Sequence, residues 1–310
     1  MAYVSVDIGA TNIRVASGDI NNLIMKLSEP TDRFNGATGV AEQITRMVRK
    51  LEVDPRSIGI GTIGPLDVRK GMIGQTPNFP FKNIPITEPL ENEFGVPIKI
   101  INDCNAAVIG EHRFGAGKGI DNLFYVTVST GLGGGAIVDG HSLGGKDGNA
   151  PEIGHLVIDL ESELICGCGG RGHWEAYCSG ANIPRFAKFL IEKHGLDDYE
   201  LRDISTNDFT GLTSEVIFEA AKRGVEPAIF IVKEIGKINA VGFADIVNAF
   251  DPEIITVGGS IALNNQKEII EPIESGIDEY LINRKPRIMI TPLGADAVLY
   301  GGLAVALEIS

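Results

Sequence analysis

Residues 3–17 read YVSVDIGATNIRVAS, and the same kind of pattern returns at residues 123–139, LFYVTVSTGLGGGAIVD. In both stretches two apolar, β-branched runs flank a turn of small residues, which predicts a strand, a tight turn and a second strand. The glycine-rich segment 115–119, GAGKG, separates the two stretches and is typical of a hinge. The repetition therefore predicts two similar α/β halves.

The rest of the chain alternates between hydrophobic spacing typical of strands and spacing typical of helices. We predict two domains, residues 1–115 together with about 293–310, and residues 116–292. Further strands are predicted at 58–63, 97–101, 254–257 and 287–291, and helices at 38–52, 105–114, 181–194, 213–222, 226–250, 265–282 and 297–308.

Composition narrows the class of protein. The net charge of −14 over 310 residues argues against nucleic-acid binding, which needs clustered Lys and Arg. Four cysteines in a chain of this length do not form a secreted disulfide framework. The N-terminal residues show no signal-peptide pattern, and no apolar run reaches the length of a bilayer span. We therefore predict an unprocessed cytoplasmic protein without a membrane partner.

Two of the turns have the composition of phosphate-binding loops. Small residues let backbone N–H groups approach phosphate oxygens, a hydroxyl adds a donor, and an acid can hold Mg²⁺ through its water shell. An ordinary hairpin turn is the alternative, because Gly and Asn favour hairpins in any case. The candidate residues are Asp7, Gly9, Thr11 and Asn12 in the first turn, and Thr130, Gly131 and Gly133 in the second.

A third glycine turn, Gly258-Gly259, lies where a predicted strand leads to a helix, a position suited to the base or ribose of a nucleotide. A plain strand-to-helix connection is the alternative. The second turn also fits the dinucleotide fingerprint G-x-G-x-x-A if Ala136 is included, which would indicate a nicotinamide-dependent oxidoreductase. That fingerprint requires a following helix, however, and residues 136–139 have the pattern of a strand, which disfavours the oxidoreductase.

Asn102 and Asp103 follow a buried-looking strand and precede a predicted helix. Ligands of open α/β sheets gather outside the carboxyl ends of the strands. A carboxylate there could accept the proton of an alcohol while the alcohol oxygen attacks a phosphorus atom. The alternative is that Asp103 caps the helix, since Asp is a preferred N-cap residue.

Residues 155–173 contain two thiols and two imidazoles, which are the ligand types of a closed tetrahedral zinc site. Glu152 and Glu175 bracket this segment, so a bound metal would fix the two carboxylates relative to each other. The alternative is a glycine-rich surface loop whose cysteines and histidines never meet. The candidate ligands are His155, Cys166, Cys168 and His173.

Taken together, and in this order and spacing, the three turns, the Asn102-Asp103 pair, residues 152–155 and the cluster 166–175 resemble the ROK family of sugar kinases, open reading frames and repressors. The resemblance spans nearly the whole chain. It implies an α/β fold of two ribonuclease-H-like domains, of the actin-like ATPase type, with a cleft between them.

The resemblance also implies roles for individual residues. Asp103 would be the catalytic base acting on the 6-hydroxyl of a hexose. The first and second turns would hold the phosphates of ATP, and Gly258 and Gly259 would lie beside the adenosine. The remaining sugar hydroxyls would be bound by Asn78, Asn102, Glu152, His155 and Glu175.

In the ROK family one His and three Cys typically hold zinc, and this chain has His173 where the third cysteine is expected. An imidazole is a sound zinc ligand, so a Cys2His2 site is predicted. Cys178 is close enough in sequence to be a substitute ligand, and loss of the metal is the other alternative.

The expected function is an ATP-dependent hexose kinase that uses Mg²⁺ and carries a structural Zn²⁺. Glucose is the expected substrate, and N-acetylmannosamine, an N-acylhexosamine, is the alternative. A sugar-sensing protein without turnover is the less favoured class, because Asp103 is present. ROK repressors carry a helix-turn-helix before the first turn, for which this chain has no room. The resemblance further implies a homo-oligomer, a dimer or a tetramer.

Overall fold

The computed structural model describes residues 2–76, 79–205 and 209–310. The strands are β1 (Ala2–Ile8), β2 (Asn12–Gly18), β3 (Leu23–Pro30), β4 (Pro55–Thr62), β5 (Leu66–Asp67), β6 (Met72–Ile73), β7 (Ile84–Pro85), β8 (Ile98–Asn102), β9 (Leu123–Val128), β10 (Leu132–Val138), β11 (His141–Ser142), β12 (Ile254–Gly258) and β13 (Arg287–Ile290). The helices are α1 (Gly39–Arg49), α2 (Thr87–Phe94), α3 (Asp103–Phe114), α4 (Glu175–Cys178), α5 (Ile183–His194), α6 (Tyr199–Ile204), α7 (Ser214–Lys222), α8 (Glu226–Phe250), α9 (Ser260–Asn264), α10 (Gln266–Gly276) and α11 (Ala297–Glu308).

Two five-stranded sheets have the same topology. The first has the order β3-β2-β1-β4-β8 and the second β11-β10-β9-β12-β13. With strands numbered in chain order within each sheet, both orders are 3-2-1-4-5. In the first sheet β2 runs antiparallel to β1, whereas β4 runs parallel to it. The two similar α/β halves predicted from the sequence are therefore confirmed.

The chain forms two compact units. Unit 1 contains residues 1–125, 135–151 and 291–310, and unit 2 contains residues 126–134 and 152–290. The division passes through β9 and β10, so it does not coincide with the hinge predicted at residues 115–119. The domain boundaries predicted from that hinge thus differ from this division at residues 116–125 and 135–151.

Unit 1 has a core of apolar side chains on the first sheet, with Val4, Val6, Ile58 and Ile60 fully buried. Helices α3 and α11 pack closely because glycines face backbone: a Cβ at Gly301 would lie 1.7 Å from the carbonyl oxygen of Ala106. Every larger residue at position 301 would force the two helices apart. This close packing holds the first turn of α3, and with it Asp103, against the sheet.

Unit 2 contains the long helix α8, whose observed range coincides with the predicted 226–250. Trp174 is fully buried beside α8, where its indole N–H donates to Asn239 Oδ1 at 2.9 Å. A Cβ at Gly242 would lie 2.4 Å from the Trp174 ring, so this glycine makes room for the indole. The residue next to Glu175 is thereby anchored in the core of the unit.

Most predicted elements are confirmed within a few residues, but some were missed or mislocated. The predicted helix 265–282 ends at Gly276 and is followed by a 3-10 turn. β3 was missed because it is an edge strand with mixed polar and apolar exposed side chains, and α2 because it buries only Leu90. Within the described residues, no helix combines the length and apolar character that crossing a membrane requires.

Candidate functional site

In unit 1, the pairing of three parallel strands places the first turn and Asp103 at the same edge of the sheet. Ile8 at the end of β1 pairs with Thr62 at the end of β4, and Thr62 pairs with Asn102 at the end of β8. Neighbouring strands are about 4.8 Å apart, so the ends of β1 and β8 lie roughly 10 Å from each other. This carboxyl-end edge is where open α/β sheets bind ligands.

The helix cap of α3 is Asn102 and not Asp103. The side-chain oxygen of Asn102 accepts hydrogen bonds from Cys104 N at 2.9 Å and from Asn105 N at 3.2 Å. Asp103 is the first residue of the helix, and its Oδ1 accepts from Cys104 N at 2.8 Å. The sequence-based alternative that Asp103 caps the helix is thus wrong, because Asn102 supplies the cap.

The helix cap also limits what Asn102 can offer a sugar. Its side-chain oxygen already serves two backbone N–H groups, whereas its amide nitrogen is a donor not needed by the cap.

Asn105, one residue beyond Cys104, was missed by the sequence reasoning. Its Nδ2 donates to the carbonyl of Ala150 at 2.7 Å, which ties the start of α3 to the segment leading to Glu152. Its buried Oδ1 has no hydrogen-bond partner among the described residues.

The first turn is braced from inside unit 1. Gly9 N donates to Asn12 O at 3.0 Å, and the hydroxyl of Thr31 donates to Gly9 O at 2.8 Å. Thr11 and Asn12 are exposed at its tip, as a phosphate-binding turn requires. Hydrogen bonds within unit 1 thus fix the shape of the turn.

Asp7 lies at the base of the first turn and is paired with Arg14, a residue that sequence reasoning did not single out. Arg14 Nε donates to Asp7 Oδ2 at 2.8 Å, and a second guanidinium nitrogen contacts the same oxygen. Burial raises the pKa of Asp7, and the Arg14 guanidinium partly offsets this. The predicted hairpin could have indicated this ion pair, because its register puts Arg14 directly opposite Asp7.

In unit 2, the second turn (residues 129–133) meets the third. Ser129 Oγ lies 3.2 Å from Ser260 Oγ, and Gly180 N donates to Ser129 O at 2.7 Å. Gly259 has φ +88°, and a Cβ there would lie 2.5 Å from Val128 O. Only glycine therefore fits at position 259. The second and third turns, both predicted to bind nucleotide, thus lie next to each other in unit 2.

The four candidate metal ligands converge, with all four ligand atoms within 4.8 Å of one another. The Nδ1 atoms of His155 and His173 are 3.3 Å apart, Cys168 Sγ is 3.3 Å from His173 Nδ1, and Cys166 Sγ is 3.8 Å from His155 Nδ1. We call these four residues the metal cluster. The alternative of a loop whose cysteines and histidines never meet is not what the structure has.

The three distances just given are close to those between ligands of a zinc ion. A tetrahedral ion with Zn–N bonds of about 2.0 Å and Zn–S bonds of about 2.3 Å separates two nitrogens by roughly 3.3 Å and a nitrogen from a sulfur by roughly 3.5 Å. Burial raises the pKa of the Cys166 thiol to about 12.

Cys178 is not part of the metal cluster. It is fully buried, and its thiol faces the carbonyl of Ile235 at 3.6 Å. Among the described residues, His173 and not Cys178 therefore lies with the other three candidate ligands.

The two carboxylates that bracket the metal cluster differ in their surroundings. Glu152 is about half exposed, and its Oε2 lies 4.0 Å from His155 Nε2, the ring nitrogen turned away from the cluster. Partial burial raises the pKa of Glu152, and the nearby His155 partly offsets this. Glu175 accepts hydrogen bonds from Leu132 N at 3.0 Å and from Cys166 Sγ at 3.4 Å.

The predicted site residues thus form two groups, one in each unit. Asn78 lies outside the described residues. Unit 1 holds Asp7, Gly9, Thr11, Asn12, Asn102 and Asp103, and unit 2 holds Thr130, Gly131, Gly133, Glu152, His155, Cys166, Cys168, His173, Glu175, Gly258 and Gly259.

Comparison with solved structures gives the class of protein. The ROK hexokinase from Thermus thermophilus matches with a TM-score of 0.83 and 33% identity, covering 100% of this chain and 99% of that one. A ROK family glucokinase from Streptomyces griseus, solved with glucose and AMPPNP, matches with a TM-score of 0.83 and 30% identity, covering 99% and 100%. The duplicated α/β fold is therefore the actin-like ATPase fold of the ROK kinases.

Sequence comparison then identifies the family. The chain matches the ROK family over residues 3–308. A glucokinase from Pyrobaculum calidifontis is 38% identical over 304 residues, which are 98% of this chain and 94% of the relative. The protein belongs to the ROK family.

Proposed function

We propose that this protein is an ATP-dependent glucose kinase that phosphorylates the 6-hydroxyl group. The observation that carries the proposal is the row of Ile8, Thr62 and Asn102, which sets a carboxylate and a phosphate-type turn at one sheet edge. The relatives named glucokinase and hexokinase support the same reaction and the same sugar.

Asp103 is the proposed general base. Its carboxylate takes the proton of the 6-hydroxyl as the hydroxyl oxygen attacks the γ-phosphorus of ATP. A new O–P bond forms, the bond between the γ-phosphorus and the bridging oxygen breaks, and ADP leaves. Because Asn102 carries the helix cap, the proposed role of Asp103 does not compete with the cap.

The turns are the proposed nucleotide site. Backbone N–H groups of the first turn (Thr11, Asn12) and the second turn (Thr130, Gly131, Gly133) donate to phosphate oxygens and offset the charge of the transferred group. Gly9 shapes the first turn, because its N–H donates to Asn12 O. Gly258 and Gly259 lie beside the adenosine. A bound Mg²⁺ would neutralise phosphate charge, and Asp7 is the residue that would hold it through its water shell.

The sugar is the proposed ligand of a second set of polar side chains. Glu152 and Glu175 accept hydroxyl protons, and Asn102 donates through its amide nitrogen. His155 turns Nδ1 toward the metal cluster and Nε2 away from it. If Nδ1 binds the metal, Nε2 carries the proton and can donate to a sugar hydroxyl. Asn78 completes the set.

The metal cluster is the proposed site of one structural Zn²⁺ held by His155, Cys166, Cys168 and His173. Its interatomic distances support this ligand set. The ion would stabilise the loop that carries His155 and precedes Glu175. Cytoplasmic location and homo-oligomeric assembly stay predictions.

A coupled ADP-release assay across glucose, mannose, fructose, allose, N-acetylglucosamine and N-acetylmannosamine tests the proposal. We expect the highest kcat/KM for glucose. A higher kcat/KM for N-acetylmannosamine would mean that the protein is a kinase of that sugar and not of glucose. Sugar binding without ADP release from any member of the panel would overturn the kinase and favour a sugar-sensing protein.

A further inference from the structure

We propose that Glu175 is a positioning residue that ties the second turn to the metal cluster, so that the cluster influences the affinity for nucleotide. This role is separate from the contact of Glu175 with sugar. The proposal rests on the proposed function in one respect, because that function assigns the second turn to ATP phosphates.

The carboxylate of Glu175 connects two segments that are distant in sequence. Its Oε2 accepts the backbone N–H of Leu132 at 3.0 Å, and its Oε1 lies 3.4 Å from Cys166 Sγ. A zinc-bound Cys166 would be a thiolate without a proton, so the bond to Leu132 is the one that persists when metal binds. Leu132 directly follows Thr130 and Gly131 of the second turn. One side chain therefore touches both a metal ligand and the end of the proposed phosphate site.

Leu132 is also restrained through its backbone carbonyl. A Cβ at Gly154 would lie 2.1 Å from Leu132 O and 3.5 Å from the Cβ of Glu175. Gly154 stands directly before His155, so the backbone next to one metal ligand packs on the second turn. Two independent contacts thus join Leu132 to the segment that carries the metal cluster.

These contacts have an energetic consequence. A hydrogen bond from a backbone N–H to a carboxylate is charge-assisted and stronger than one to a neutral oxygen. If the metal cluster holds His155 and His173 in place, it also holds the neighbouring Gly154 and Glu175, and through them Leu132 and the turn before it. Because coupling between binding sites is reciprocal, nucleotide in the second turn should in return stabilise the metal cluster.

Two substitutions separate this positioning role from sugar binding. In Glu175→Gln the amide oxygen can still accept from Leu132 N, and the amide nitrogen can donate to the Cys166 sulfur. The sugar loses a carboxylate, but the tie to the second turn remains. Glu175→Ala removes both the sugar contact and the tie.

The experiment measures amide hydrogen exchange at Leu132 and the affinity for AMPPNP, with zinc content recorded for each variant. For Glu175→Ala we expect Leu132 to exchange about tenfold faster or more, and AMPPNP binding to weaken by about tenfold. For Glu175→Gln we expect a smaller change in both values than for Glu175→Ala, because the bond to Leu132 N remains but is no longer charge-assisted, while glucose binding weakens.

Glu152→Ala is the matched control, because Glu152 lies beside the metal cluster and its contact is with His155. It should leave the exchange rate of Leu132 unchanged. Unchanged exchange at Leu132 in Glu175→Ala, or equal loss of AMPPNP affinity in the Gln and Ala variants, would overturn the proposal. If the wild type fails to bind AMPPNP, the proposed function is lost, and the exchange rates still decide whether Glu175 holds Leu132.

Discussion

Asn102 and Asp103 are adjacent but carry different tasks. Asn102 accepts two backbone N–H groups and caps α3, whereas Asp103 is the first helical residue and accepts from Cys104 N. The sequence could name both residues, because a polar pair at the end of a strand is a local signal. It could not say which of them caps the helix, since that depends on backbone angles. Asn102 has φ −62° and ψ 145°, the extended geometry of a cap.

Asp103→Asn should lower the rate of phosphoryl transfer by about 10²–10⁴-fold, because an amide of the same shape cannot take the hydroxyl proton. Binding of glucose and AMPPNP should persist, since Asn can still accept from Cys104 N. Steady-state ADP release and calorimetric titration measure the two properties separately.

Glu42→Gln is the control for losing an acid in the first turn of a helix of unit 1, here α1. It should keep full turnover. If the Asp103→Asn variant also keeps more than about half of its turnover, Asp103 is not the base.

Two glycine turns between secondary-structure elements differ in the space around the glycine. Gly224 and Gly259 both have φ near +90°, but Gly224 has open space around its Cβ position, whereas a Cβ at Gly259 would lie 2.5 Å from Val128 O. Alanine at position 224 would introduce backbone strain alone, whereas alanine at position 259 would add a steric clash inside the third turn.

Gly224→Ala should cost about 1–3 kcal/mol of stability from strain alone and leave AMPPNP affinity unchanged. Gly259→Ala should cost more and also weaken AMPPNP, because the clash shifts the third turn. Chemical denaturation measures the free energy of unfolding, and calorimetry measures the affinity for AMPPNP. Equal costs with unchanged affinity in both variants would mean that the third turn takes no part in nucleotide binding.

The segment 155–173 carries the four residues of the metal cluster. Purified protein should contain about one zinc per chain, and Cys168→Ser should release it and lower both stability and glucose affinity. Cys168 is exposed, so its substitution disturbs little packing. Elemental analysis, thermal unfolding and glucose titration are the measurements.

Cys178→Ser is the matched control, because the Cys178 thiol faces the carbonyl of Ile235 and not the metal cluster. That variant should keep its zinc. Metal-free wild-type protein, prepared without chelator and fully active, would rule out a structural zinc.

Over the whole molecule, stability includes contributions from buried acids such as Glu111. Glu111 is fully buried in unit 1, accepts from the hydroxyl of Thr291 and accepts from Ala116 N at 2.9 Å. Burial raises its pKa above the ordinary 4.5, although both hydrogen bonds act in the opposite direction. An acid with a raised folded-state pKa stabilises the fold below its unfolded pKa, and this contribution is lost as pH rises through the folded pKa.

Glu111→Gln should therefore gain stability relative to the wild type as pH rises from about 5 to about 8. Thr291→Val removes a hydroxyl that lowers the pKa of Glu111, so its own stability should fall more steeply with pH than that of the wild type. Urea unfolding at several pH values measures both slopes. A stability difference between Glu111→Gln and the wild type that is constant with pH would contradict the raised pKa.

The sequence by itself determined the two α/β repeats, the glycine turns and the identity of the candidate base and metal ligands. These are local signals, because strand and helix periods and turn residues act over a few neighbouring positions. Only the tertiary structure decided that Ile8, Thr62 and Asn102 form one row, that Cys178 lies outside the metal cluster, and that Glu175 reaches Leu132. Such contacts depend on strand order and on which side chains share a buried space, and residues far apart in the chain set both.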